Sequence, residues 1–242
     1  MSTQDRTLTH DLWGQVCTDF CETGRAPFIF RRDDGLEDPS DPAGYFRTEL
    51  SPPEARAMEK ASGRILDIGC GVGADVLWLQ AHGKKVTGID ISPGAIAIAR
   101  KRGAQDVHIL SMWDIHKLNT TFDTIILMGN NMGLAGSPEE TARFLRLLHS
   151  HTNPGALLIG HSIDPTATSD EHHLAYQRQN VESGRYRGTV RIRLEYKGLV
   201  SGWWDLVFFE KETLLGLCSE NGWMREEVVQ WGNSFFVIAR RS

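Results

Sequence analysis

Residues 65–74 read Ile65-Leu66-Asp67-Ile68-Gly69-Cys70-Gly71-Val72-Gly73-Ala74. A short apolar run ends in three glycines at alternate positions. Helical spacing then takes over from Ala74 to Ala81 and stops at Gly83, a natural residue just past a helix end. The stretch predicts strand, glycine turn, helix. Glycines there let the chain reverse sharply and let a ligand approach the peptide plane. Working outward, Lys85 to Ile89 predicts the next strand, and Ser92-Pro93 caps and opens a helix to Arg102. Val107 to Leu110 is a third strand. Phe122 to Met128 is a fourth, with Ile125, Ile126 and Leu127 consecutive as in a strand buried on both faces. Ser137-Pro138-Glu139-Glu140 opens a helix through Leu148, and Ala156 to Gly160 is a fifth strand. Strands separated by helices predict a parallel, doubly wound α/β sheet.

Beyond this core the pattern changes. Leu8, Leu12, Trp13 and Val16 have helical spacing, and a turn-rich stretch from Arg31 to Pro42 leads to a second helix from Glu54 to Ala61. Residues 1–60 therefore read as a helical cap, too poor in apolar residues to fold alone. Ser162 to Asn180 is polar. Thr189 to Lys197 then alternates strictly, as in an antiparallel strand with one wet face, and Trp203 to Phe209 pairs back onto it. A helix from Lys211 to Glu220 and a hairpin of Val228–Trp231 and Phe235–Ala239 close the chain. The expected organisation is one domain over 1–242: cap 1–60, core 64–160, inserted β-ribbon or lid 161–210, closing helix and hairpin 211–242.

Composition narrows the function. The chain has 242 residues, Lys+Arg 26 against Asp+Glu 31, a net charge of -5 and a mean hydropathy of -0.30. That balance weighs against nucleic-acid binding, which calls for a basic excess or stripe. No run of about 18 apolar residues predicts a membrane helix. The polar Met1–His10 lacks a signal peptide's apolar core, so a cytoplasmic location is expected. Cys17, Cys21, Cys70 and Cys218 are too scattered for a zinc site, and no metal is expected.

The glycine turn fits two ligands at first. Gly69, Gly71 and Ala74 satisfy G-x-G-x-x-G/A, and Asp90 at the end of the second strand can accept both ribose hydroxyls of a nucleoside. NAD and S-adenosylmethionine fit equally so far. Three features separate them. Asp67 precedes the loop by two residues, where it would repel a pyrophosphate and attract an ammonium or sulfonium. Asp75 opens the following helix, which suits the helix dipole but not a phosphate guest. Trp113-Asp114 follows the third strand, where an acid can take an adenine amino group and an indole can pack on the ring.

At this point a family emerges. Residues 65–73 resemble motif I of the class I S-adenosylmethionine-dependent methyltransferases, Val86 to Ser92 resembles the second motif, and Phe122 to Leu127 the fourth. The resemblance covers residues 64–160 and implies a mostly parallel seven-stranded sheet. It implies that Asp67 and Gly69 sit near the methionine amino end, with the Gly69-Cys70-Gly71 backbone passing the ligand. It implies Asp90 on the ribose, Ile91 and Ser92 beside it with Ile91 on the adenine, Asp114 on the adenine amino group with Trp113 alongside, and Met128 and Gly129 near the methionine moiety. Tyr45 or Phe46 of the cap is expected to cover the cofactor. The implied product is S-adenosylhomocysteine.

The acceptor site is expected beyond the strand ends. Gly129-Asn130-Asn131-Met132-Gly133 occupies that place and differs from the Asn-Pro-Pro-Tyr motif of adenine and glutamine methylators. Asn130 and Asn131 are candidates to orient a polar acceptor, His161 is a candidate base, and Asn131 and Tyr176 are further catalytic candidates. His173, Arg178 and Arg185 are candidate acceptor ligands within the lid. In the Trp203-to-Phe209 strand, core packing competes with lining an apolar acceptor pocket. The expectation is methyl transfer to a small molecule by a monomer or homodimer. Aminocarboxypropyl transfer, cofactor cyclisation and a non-catalytic sensor of S-adenosylmethionine remain as alternatives.

Overall fold

A computed structural model describes residues 11–242; Leu8 and the polar Met1–His10 lie outside the described residues. The core is a seven-stranded sheet built from β3 (Arg64–Ile68), β4 (Lys85–Asp90), β5 (Val107–Ile109), β6 (Phe122–Leu127), β7 (Thr152–Ile163), β11 (Trp223–Trp231) and β12 (Ser234–Arg241). Its order is β11-β12-β7-β6-β3-β4-β5. The five strands from β7 to β5 run parallel, and β12 and β11 are antiparallel. Parallel strands need crossovers, and the helices that supply them cover both faces. Ile125 and Leu127 point to the face packed with Phe144 and Leu148 of α5 (Pro138–Ser150) and Leu214 of α7 (Lys211–Glu220). Ile126 and Ile65 point to the other face, with Val76 of α3 (Ala74–Ala81), Ile96 of α4 (Pro93–Arg102) and Met58 of α2 (Pro52–Glu59). The strand period of two thus explains why consecutive isoleucines are all buried.

The cap and the lid are one structure. The stretch read as turn-rich folds into β1 (Phe28–Arg32) and β2 (Glu37–Ser40), joined by a tight turn in which Gly35 has φ +95°. β1 then pairs antiparallel with β8 (Thr189–Tyr196) of the insertion, which carries β9 (Leu199–Val200) and β10 (Trp204–Val207). The second sheet runs β10-β8-β1-β2. Its charged face is tied across strands, Arg31 Nε donating to Glu195 at 2.7 Å. Its apolar face packs Phe28, Leu194 and Tyr196 on Leu12 and Val16 of α1 (Leu12–Thr23). A further helix in the polar stretch, α6 (Glu171–Glu182), was not visible as a pattern because only Tyr176 and Asn180 are buried on it.

Helix α1 is fastened to the core through Asp11. Its carboxylate caps α1 by accepting Gly14 N–H at 2.9 Å and also accepts Gly94 N–H at 2.7 Å. The helices touch at Gly14 and Gly94, where a Cβ on Gly14 would lie 2.8 Å from the Cα of Gly94.

Candidate functional site

The glycine turn leaves β3 with Gly69, Gly71 and Gly73 all in the left-handed region, at φ +77°, +51° and +79°. This is the conformation that favours glycine. Three contacts set its shape. Gly69 N–H and Cys70 N–H both donate to Ile89 O, at 2.8 and 3.0 Å. The Asn131 amide donates to Ile68 O at 2.9 Å and Gly69 O at 3.2 Å. Asp90 Oδ2 accepts Gly71 N–H at 2.8 Å, and its Oδ1 accepts Ser92 N–H at 2.9 Å. A carboxylate carries about four lone-pair positions, so Asp90 retains acceptor capacity for hydroxyl groups. A Cβ on Gly71 would meet nothing within 4 Å, so the loop is open on that side.

Under the loop lies a charged cluster. Asp67 is 1% exposed, and its Oδ2 has no hydrogen-bond partner. Burial, then the neighbouring Asp75 and Asp90, push its pKa well above the usual carboxylate range, with Arg47 opposing. Asp75, in the first turn of α3, is raised by burial while Arg47 draws it down. Arg47 follows the short 3-10 turn Pro42–Phe46 of the cap and bonds Asp75 at 2.8 Å and Glu54 of α2 at 3.4 Å. Arg102 holds this segment on the loop by donating to Val72 O at 2.8 Å and Phe46 O at 3.0 Å. Phe46 is thereby fixed on α1 and α4, packed at a tilt on Phe20, whereas Tyr45 is 45% exposed and edge-on to Trp13. Arg47 and Glu54 were not singled out from sequence. The signal for Glu54 was the Ser51-Pro-Pro-Glu54 helix start, where Glu54 accepts Ser51 N–H at 2.8 Å. Nothing local marks Arg47.

The remaining predicted cofactor residues divide by role. Ile91 is 52% exposed beside Asp90, presenting an apolar surface at the strand end. Ser92 is buried, its hydroxyl capping Ala95 N–H and donating to Asp11, so it shapes α4. Cys70 is buried, and a Cβ on Gly88 would lie 2.9 Å from its Sγ, so only its backbone belongs to the loop. Asp114 pairs with Lys117 at 3.0 Å, and the Trp113 ring packs edge-on to Phe144 beneath the Arg143 guanidinium. Met128 is buried and Gly129 turns the chain at φ +61°.

The candidates for the acceptor are redistributed by the structure. Asn130 is buried and committed to the fold: its amide donates to Val207 O at 3.0 Å and its oxygen accepts from Ser162 Oγ at 3.0 Å. Its side chain ties β10 to the core. Asn131 spends its amide hydrogens on the glycine loop, so it positions that loop. His161 Nδ1 accepts the Asn130 N–H at 2.9 Å. A backbone amide only donates, so the neutral ring carries its proton on Nε2. Burial foremost lowers its pKa. The nitrogen available to a ligand is therefore a donor, which argues against the expected base role. Tyr176 donates to Asp33 at 2.6 Å, accepts Arg191 N–H at 3.2 Å and lies under Arg32, 4.0 Å from its ring centre. It locks α6 to the second sheet, away from the glycine loop's contacts, and is not brought to the expected catalytic position. His173 Nδ1 accepts from Arg32 at 3.0 Å, Arg178 pairs with Glu171 at 3.5 Å, and Arg185 pairs with Asp205 at 3.4 Å. Of these, Arg185 with Asp205 lies near the loop after β6, since a Cβ on Gly136 would sit 3.1 Å from Asp205 O.

Residues 65–155 match the methyltransferase-domain family model. An S-adenosylmethionine-dependent methyltransferase from Bacteroides fragilis, solved with S-adenosylhomocysteine, is similar over 96% of this chain and 95% of its own, with a TM-score of 0.82 and 26% identity. An uncharacterised protein from Synechococcus is 37% identical over 43% of this chain and 26% of its own length. Cypemycin N-terminal methyltransferase from Streptomyces is 32% identical over 42% of each. The chain thus spans less than half the length of these two curated relatives. The fold is thus similar to that of class I S-adenosylmethionine-dependent methyltransferases, and residues 65–155 match a methyltransferase domain.

Proposed function

We propose that this chain transfers a methyl group from S-adenosylmethionine to a small-molecule acceptor by in-line displacement, releasing S-adenosylhomocysteine. The observation that carries the reading is the buried, unpartnered carboxylate of Asp67 beneath an open glycine loop. A cationic guest relieves that carboxylate, whereas a pyrophosphate is repelled by it. Bound there, S-adenosylmethionine supplies a methyl already activated by its sulfonium. Asp90 accepts the ribose hydroxyls with its remaining lone pairs. Ile91 covers the adenine, and Asp114 takes its amino group. The protein's remaining task is alignment and exclusion of water. The second sheet serves it, with β10 docked on the loop after β6 through Asn130 and Val207. A sheet closing over the strand ends suits a small guest, and the acidic charge weighs against a polynucleotide.

The test uses methyl-labelled S-adenosylmethionine and a host extract divided by a size filter. Label in the small-molecule fraction with S-adenosylhomocysteine released is the expected result. Label confined to macromolecules overturns the acceptor class, and release of methylthioadenosine overturns methyl transfer itself.

A further inference from the structure

Helix α3 carries apolar residues on two faces. Val76 and Leu79 are buried in the core. Ala74, Leu77, Trp78 and Ala81, at helical spacing on the other side, line a cavity of about 570 Å³ between α3 and the cap segment 47–50. That volume falls in the range of small-molecule sites. Neither Gly69, Gly71 nor Asp90 lines it, so it lies apart from the open side of the glycine loop. Leu50 of the cap adds to its apolar wall, and the Trp78 ring stacks on His82 with 3.9 Å between centroids. His82 Nδ1 donates to Trp78 O at 2.8 Å, which holds the two rings as one flat surface.

The charged groups of this cavity are unevenly satisfied. Arg47 is taken up by Asp75 and Glu54. Arg102 is half-buried and, among the described residues, bonds only backbone carbonyls: Val72 O at 2.8 Å, Phe46 O at 3.0 Å and Arg47 O at 3.4 Å. A guanidinium has five N–H donors in a planar fork, so Arg102 has donors to spare for a carboxylate. Charges withdrawn from water are normally paired, and here the pairing group is missing. Glu49 is the acid of the lining, but it is exposed, so solvent screens it more than it screens Arg102. An anion carried on an apolar body matches both halves of the cavity.

We infer that the cavity between α3 and the cap segment is a second ligand site, for a small apolar carboxylate whose head takes Arg102 and whose body lies on Trp78 and Leu77. The guest sits on the residue that pins Phe46 of the cap to Val72 of the glycine loop, so its occupancy bears on how the cap is seated.

Titration of the full chain with 1-naphthoate, followed by its backbone amide resonances, reads affinity and place together. The expected result is saturable shifts at residues 46–50, Val72, residues 74–82 and Arg102. 1-Naphthamide, the uncharged analogue, should bind about tenfold more weakly, because a charge-assisted hydrogen bond is lost. Arg102→Gln should bring the two ligands within about twofold of each other. Arg102 also seats the cap, so a second variant is made at the exposed Ala81. Ala81→Glu sets an acid on the cavity wall and should weaken 1-naphthoate about tenfold while leaving 1-naphthamide within about twofold. Equal affinity of the unaltered protein for the two ligands overturns the site. Shifts centred on Gly69 to Gly71 and Asp90 overturn it by showing entry into the cofactor crevice instead. The absence of saturable shifts overturns it without any variant.

Discussion

Asp90 and Gly71 are joined by a hydrogen bond of 2.8 Å, from the backbone N–H of the glycine loop to the carboxylate at the end of the next parallel strand. One acid thereby shapes the loop and, in the proposed function, offers its remaining lone pairs to a ribose. Asp90→Ala removes both functions. S-adenosylhomocysteine affinity should fall more than about tenfold, since each charge-assisted hydrogen bond is worth about 1.5–3 kcal/mol. Calorimetry on a folded variant decides it, and unchanged affinity would remove the ribose assignment.

Asp67 should trade stability for binding. Its pKa is raised in the folded chain, first by burial, so the folded state holds more protons than the unfolded state between the two pKa values. The stability of the unliganded protein is therefore full below the unfolded value and falls as pH rises through the folded one. Affinity for S-adenosylmethionine moves oppositely, because only the ionised carboxylate attracts its cations. Asp67→Asn should leave the melting temperature unchanged at pH 4 and raise it at pH 8, by about 1–3 kcal/mol of stability, while losing cofactor affinity. A variant less stable than the unaltered protein at pH 8 contradicts the assignment.

His161 should carry its proton on Nε2 across neutral pH, since Nδ1 is held by Asn130 N–H. Long-range nitrogen–proton NMR reads the tautomer directly. The ring should also gain its second proton below the ordinary histidine range, because burial disfavours the cation. A resonance showing Nδ1–H would restore the ring as a base.

Tyr176→Phe separates lid from site. The change removes the hydroxyl that bonds Asp33 and receives Arg191 N–H. Stability should fall by about 1 kcal/mol, read by urea denaturation, because two part-buried hydrogen bonds are lost. S-adenosylhomocysteine affinity should stay unchanged; a parallel loss of affinity would return Tyr176 to the site.

The sequence by itself determined the parallel core and the glycine loop with an acid at the end of the next strand. Ile65 to Ile68, the three glycines and Asp90 lie in continuous segments whose period, turn chemistry and caps are local properties. Ser92 and Ser137 mark the helix starts observed at Pro93 and Pro138 for the same reason. Only the tertiary structure decided the cover and the acceptor side. β1 is five residues long, and its pairing with β8, at separations of 160 to 166 residues, leaves no trace in either segment alone, because Arg31 and Glu195 each read as an ordinary surface charge until they meet. Arg47 gains its meaning from Asp75 and Asp67, and the His161 tautomer from Asn130. A local pattern records which backbone a segment prefers, whereas the state of a polar group depends on the partner that folding places beside it.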